Sequence, residues 1–195
     1  RSYAEMIIMN EKGTDTIKKL ANIITQEADR LAEMTKDLLD FSKGAITLDT
    51  AKITISYIIK QMIPVLDIDF KNHAMVIDAA LDDTTMLLLD VDRIKRVIEN
   101  ISHNAIGAME KGGKFIIKTQ ETTDAVVLSM TDNGKGMSKK TIENMYEPFF
   151  TEGKKSGTGL GLAISKSILK AHGASITVKS ELGKGTTFFI SFPKG

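Results

Sequence analysis

Asn100 and Asn104 stand four residues apart, Asp132 is followed by Gly134 and Gly136, Glu147-Pro148-Phe149-Phe150-Thr151 comes next, and Gly157, Gly159 and Gly161 alternate ahead of Leu162. On a helix, a spacing of four projects both carboxamides from one face. A carboxamide oxygen is a hard, neutral ligand that suits a magnesium ion still holding waters and phosphate oxygens. Asp132 follows the apolar run Ala125 to Met130, so its carboxylate sits where a strand ends and the chain turns through two glycines. There it can accept a hydrogen bond from an exocyclic amine such as that of adenine, and Gly134 and Gly136 permit close backbone approach to the base. The segment Gly157-Thr158-Gly159-Leu160-Gly161-Leu162 is a loop opening a helix, whose backbone donors and N-terminus favour phosphate, with Lys154 and Lys155 beside it. In this order the four segments supply the parts that hold a purine nucleotide and a hydrated divalent cation.

Each segment alone has a plainer reading. Two asparagines on an amphipathic helix can face solvent, Asp132 to Gly136 can be an ordinary turn, the two lysines can be solvated, and Phe149 and Phe150 can be core residues that anchor one end of a lid. Two other nucleotide signatures fail on inspection. The glycines follow the polar stretch Glu152 to Ser156 rather than a buried strand, and Leu162 stands where a dinucleotide fingerprint requires its third glycine. No Gly-Lys pair is followed directly by Ser or Thr, so there is no Walker A loop.

Composition narrows the classes further. The 195 residues are 42% hydrophobic, enough for one full domain plus a smaller element. Lys and Arg total 26 against 25 for Asp and Glu, so no overall field draws the chain to nucleic acid or an anionic membrane. With no cysteine there is no disulfide or thiolate metal site, which fits a reducing, cytoplasmic setting. The longest aliphatic clusters, such as Met6 to Met9 and Met86 to Leu89, are far shorter than a membrane span, so this segment is expected to make no direct membrane contact; a membrane-anchored parent remains compatible with it.

The elements that must position these residues fall into two parts. Ile17, Ile24, Leu31 and Leu38 fall seven apart, with Leu20, Glu27, Met34 and Phe41 as the companion series, and only Glu27 breaks the seam. Gly13-Thr14-Asp15 reads as a turn and N-cap after a shorter helix ending near Met9, and Gly44 as a C-cap, which predicts a helical hairpin over residues 1–44. A single amphipathic helix lying on the next domain is the alternative; a stripe four heptads long favours a hairpin paired with a second copy in a four-helix bundle. Over residues 45–195 the pattern predicts a strand at Ile53 to Ile55, a helix from Ser56 to Phe70, a strand from Ala74 to Leu81 and a helix from Val91 to Met109. A hairpin of Lys114 to Thr119 with Ala125 to Thr131 follows, then a helix from Leu160 to His172 capped by Gly173, and strands at Ser175 to Lys179 and Thr186 to Phe192. The fold class is α+β, a helical hairpin followed by an α/β sandwich with mixed strand order.

From Asn100 to Leu162 the sequence resembles the catalytic, ATP-binding domain of sensor histidine kinases, the four segments looking like that family's N, G1, F and G2 boxes. Leu38-Leu39-Asp40-Phe41-Ser42 is similar to the end of its second dimerisation helix. The resemblance implies a sandwich of the histidine kinase, gyrase and chaperone ATPase type, and ATP with Mg2+ as ligands. It makes Asn104 the metal ligand, Asn100 a water or phosphate contact and Asp132 the adenine acceptor, with Thr186 fixing the base through water. Met137, Thr151, Lys154, Lys155, Gly157, Thr158, Gly159, Leu160, Gly161 and Leu162 complete the implied nucleotide-binding set, alongside Gly134 and Gly136. It further implies a homodimer and a response-regulator receiver domain as partners. The family's phosphoacceptor histidine aligns about ten residues before Arg1, roughly 15 Å up the first helix, and His73, His103 and His172 do not match it, so the chain is expected to hold the donor half of the reaction. Gly107 and Ala108 stand where many members carry a lysine and an aromatic residue, a pattern nearer to sporulation and nitrogen-regulation kinases. Rival readings are another ATPase or serine kinase of this nucleotide fold, against which the helical unit argues, and a noncatalytic dimerisation scaffold.

Overall fold

The computed structural model describes residues 17–25, 28, 31, 35, 47–151 and 158–194. The chain divides into two compact units, Arg1–Gly44 and Ala45–Gly195. In the first, residues 17–25, 28, 31 and 35 are helical. Ile17, Leu20, Ile24 and Leu31 of the heptad series are exposed while Ala21 is buried. Glu27, Met34, Leu38, Phe41, the cap at Gly44 and the expected first arm of the hairpin lie outside the described residues.

The second unit runs β1 (Ala51–Ile53), α1 (Ile55–Asn72), β2 (Val76–Leu81), β3 (Leu87–Leu89), α2 (Val91–Ala108), β4 (Lys114–Glu121), β5 (Ala125–Asp132), α3 (Lys139–Asn144), α4 (Gly161–Ala171), β6 (Ser175–Glu181) and β7 (Gly185–Pro193). Its main sheet has the order β2-β4-β5-β7-β6. Only the β2 to β4 pairing is parallel, which gives the mixed sheet that the alternation of short strands and helices predicts. Strands β1 and β3 form a separate antiparallel pair.

Period-two alternation in β4, β5 and β7 puts Phe115, Ile117, Val126, Leu128, Met130, Phe188, Ile190 and Phe192 into one buried cluster. The apolar stripes of α1 (Ile55, Ile58, Ile59, Met62, Leu66, Phe70), α2 (Ile94, Val97, Ile98, Ile101, Ala105) and α4 (Ile164, Ile168, Leu169) complete it. Phe70 and Phe115 stack with ring centroids 5.1 Å apart. Each such side chain contributes about 1.5–3 kcal/mol by leaving water, so this core fixes α2 and α4, the two helices that carry site residues. No described helix is long and apolar enough to cross a membrane.

The boundaries differ from expectation in instructive places. The first strand lies at Ala51–Ile53 because Thr54 is the N-cap of α1, its side chain accepting the Tyr57 N–H at 3.1 Å. Strand β2 starts at Val76 because Ala74 sits in the left-handed region at φ 56° and ends α1, with Ala74 N–H donating to Lys71 O and Met75 N–H to Phe70 O. Two elements were not expected: β3, which pairs Leu89 with Ala51, and α3, capped by Ser138 accepting the Thr141 N–H at 3.1 Å.

Candidate functional site

Asp132 is the last residue of β5 and the register partner of Thr186 in β7, and both are buried. Its Oδ1 accepts the Gly134 N–H at 2.9 Å, and its carboxylate also accepts the Thr186 N–H. Burial nonetheless pushes its pKa above the ordinary carboxylate value, since these two donors do not repay the lost hydration. The turn that follows is wedged in place. A Cβ on Gly134 would stand 2.6 Å from Ala108 O, and one on Gly136, where φ is 66°, would stand 2.0 Å from Glu181 O. Lys135 N–H donates to Ala108 O at 3.0 Å, Gly183 N–H to Lys135 O at 2.8 Å, and Met137 N–H to Ser180 Oγ at 2.8 Å. The end of α2, the turn after β5 and the β6 to β7 turn are thereby joined through backbone groups.

At the other end, Asn100 and Asn104 lie one turn apart on α2, as their spacing predicts. The Asn100 Nδ2 donates to Gly161 O at 3.1 Å and to Ser165 Oγ at 3.2 Å, while Ser165 Oγ donates to Gly161 O at 2.8 Å. The amide orientation follows from this triangle, because a flipped Asn100 would set its carbonyl oxygen against the Gly161 carbonyl. The amide nitrogen is engaged by α4, and Oδ1 is the atom that acts as an acceptor. The N-cap of α4, Leu160, has no side-chain cap, and its own N–H donates to Thr158 Oγ1 at 3.1 Å. The first turn of α4 therefore keeps backbone donors and the positive end of its dipole for an anion.

Gly159, at φ 69°, accepts the Phe149 N–H at 3.0 Å, and a Cβ there would meet the Phe149 carbonyl carbon at 2.5 Å. Phe149 is itself left-handed at φ 67° and its side chain is exposed, whereas Leu160 is buried and Leu162 packs on the core. Thr151 is exposed. Lys154, Lys155 and Gly157 lie outside the described residues. Two residues escaped the sequence reading. Ser165 orients Asn100, and Ser180 holds Met137; neither belongs to a motif, and their only signal is position, one turn after Gly161 and five residues before Gly185.

The donor set suits a metal-bound nucleotide: neutral amide oxygens on α2, backbone N–H groups on α4 and a buried carboxylate at the strand end. Of the three histidines, His172 is partly buried and engaged through both ring nitrogens, while His73 and His103 have exposed side chains set beside Asp69. His172 accepts the Asp90 N–H through Nε2 at 2.9 Å and donates from Nδ1 to Ile168 O at 2.8 Å, so both ring nitrogens are committed. His73 places Nδ1 2.8 Å from Asp69 O, and His103 sets Nε2 3.4 Å from Asp69 Oδ2 on the outer surface of α2.

Residues 89–195 match the family described as histidine kinase-, DNA gyrase B-, and HSP90-like ATPase. The sensor histidine kinase ZraS of Salmonella typhimurium is 35% identical over 178 residues, covering 90% of this chain and 38% of ZraS. Sporulation kinase C of Bacillus subtilis is 35% identical over 179 residues, covering 90% of this chain and 41% of the kinase. The chain thus spans two fifths or so of these curated relatives. Among solved structures, histidine kinase ThkA in complex with the response regulator protein TrrA is similar with a TM-score of 0.77 and 25% identity, over 100% of this chain and 56% of that one.

Proposed function

Because the chain belongs to the histidine kinase-, DNA gyrase B- and HSP90-like ATPase family, with sensor histidine kinases as its relatives, we propose that residues 45–195 bind Mg-ATP and donate its γ-phosphoryl group to a histidine, as the catalytic core of a two-component sensor kinase. The observation that carries the reading is the Asn100, Gly161 and Ser165 triangle. It fastens the helix of the first motif to the helix opened by the last and leaves one amide oxygen as an acceptor.

In this reading Asp132, Gly134, Gly136, Met137 and Thr186 form the base end. The first turn of α4, from Leu160 to Leu162, holds phosphate oxygens through backbone donors, with Thr151, Lys154, Lys155 and the segment from Gly157 to Gly159 beside them. Asn104 ligates magnesium and Asn100 orients its waters; the ion, when bound, neutralises phosphate charge. Phosphoryl transfer has a loose transition state, so what these residues supply is alignment and charge stabilisation.

The acceptor histidine is assigned to the helical part of a longer parent protein, for which the committed nitrogens of His172 are support. The exposed heptad residues Ile17, Leu20, Ile24 and Leu31 support a homodimer through the helical unit. A receiver domain of a response regulator is the proposed recipient of the phosphoryl group, in the cytoplasm. Radiolabelled ATP tests this. This chain alone should form no phosphohistidine, while the parent should carry acid-labile, alkali-stable label. Label on His73, His103 or His172 would overturn the division of labour, and an unlabelled parent that still binds ATP would identify a noncatalytic scaffold.

A further inference from the structure

Ser180 lies on β6 as the register partner of Thr186. Its Oγ makes three contacts: 2.9 Å to Gly185 O, 2.8 Å from Met137 N and 2.9 Å to Thr186 Oγ1. A hydroxyl has one proton and two lone pairs. The Gly185 carbonyl can only accept, so it takes the Ser180 proton; the Met137 N–H can only donate, so it takes one lone pair. The remaining lone pair must receive the Thr186 hydroxyl proton if all three contacts are made together. Ser180 is then saturated, and the Thr186 hydroxyl has spent its only proton. Thr186 stands opposite Asp132, which is already an acceptor from two backbone N–H groups.

We propose that Ser180 is a specificity-determining positioning residue: by claiming the Thr186 proton it makes the base end of the site present acceptors only, so that it selects a nucleobase carrying an exocyclic amine over one carrying an oxygen there. This rests on the reading that Asp132 and Thr186 face the base. Without the Ser180 hydroxyl, the Thr186 O–H is free to rotate and donate, and a 6-oxopurine or a water bridging to it is no longer met by acceptors alone.

The test is calorimetric titration of the chain with ADP and with inosine diphosphate, which differ at that group. Wild type should prefer ADP by about 30-fold, the scale of an unpaired buried polar group. Ser180→Ala should reduce the ratio by about tenfold, and Ser180→Thr, which keeps a hydroxyl, should retain it. Thr186→Val provides the same reading if Ser180→Ala does not fold, since removing the acceptor should also collapse the ratio. Equal weakening of both ligands in Ser180→Ala, with the ratio intact, would assign Ser180 a merely structural role and overturn the proposal, as would an intact ratio in Thr186→Val. Wild type that binds both nucleotides equally would overturn it too while leaving nucleotide binding standing; a folded wild type that binds neither would instead overturn the function proposed above.

Discussion

At the base end of the site, a Cβ on Gly136 would stand 2.0 Å from Glu181 O and one on Gly185 2.0 Å from Asp132 O; at the phosphate end, a Cβ on Gly161 would find the Asn100 side chain no nearer than 3.4 Å. The turns at the base end pack backbone against backbone, closed by the β5 and β7 register and by the Lys135 N–H to Ala108 O and Gly183 N–H to Lys135 O bonds. The α2 to α4 junction at the phosphate end is made of side chains, with one amide and one hydroxyl bridging the two helices, while Gly159 ahead of it packs on the Phe149 backbone. Main-chain contacts cannot be relaxed by a rotamer change, whereas side chains can turn. The turns at the base end therefore act as fixed scaffold, and the α2 to α4 junction as the part that substitution can tune.

Alanine at the two kinds of glycine gives the sharpest contrast. Gly136→Ala forces a side chain at φ 66° onto a carbonyl and should cost on the order of 3 kcal/mol of unfolding free energy together with nucleotide binding. Gly161→Ala should change stability by less than about 1 kcal/mol, because alanine favours helix. Denaturant unfolding of both checks this, and equal losses would erase the distinction between the ends.

Asp132→Asn should weaken ATP by about 2 kcal/mol with or without magnesium, since it alters the base end alone. Ser165→Ala should be milder, about 1 kcal/mol in stability and a few-fold in ATP affinity, as Asn100 loses one of two restraints. Calorimetry on folded variants separates the two, and a Ser165→Ala loss exceeding that of Asp132→Asn would reverse the ranking.

The smallest effect is one of pH. Burial raises the Asp132 pKa above 3.8, so the folded state binds the proton more tightly than the unfolded chain. That contribution is fully present below 3.8 and is lost as pH rises through the raised value. The carboxamide introduced by Asp132→Asn does not titrate. The stability of Asp132→Asn relative to wild type should therefore climb with pH above 3.8 and then level off; a relative stability that falls over the same range would contradict the assigned shift.

How much of this was legible in the sequence depended on whether a residue announces its own geometry. Gly173, at φ 68°, marks the end of α4 openly, whereas Ala74 makes the same turn at φ 56° with a residue that ordinarily continues a helix, and the start of β2 was misplaced by two residues. Strand β3, three consecutive leucines, has no alternation to read, and its pairing with β1 is set by tertiary contact. The asparagines on α2 and the carboxylate ending β5 followed from spacing and pattern. Ser165 and Ser180 did not, because their partners Asn100 and Met137 lie 65 and 43 residues away and only the fold brings them together.

The central claim is a magnesium-dependent ATP site built jointly by α2 and α4. Titrating ATP into this chain with magnesium and with a chelator, beside Asn104→Ala, tests it most directly. Wild type should bind ATP more tightly with magnesium, and Asn104→Ala should keep the metal-free affinity while losing that gain. A folded wild type that does not bind ATP, or an Asn104→Ala variant that retains the full magnesium gain, would contradict the account.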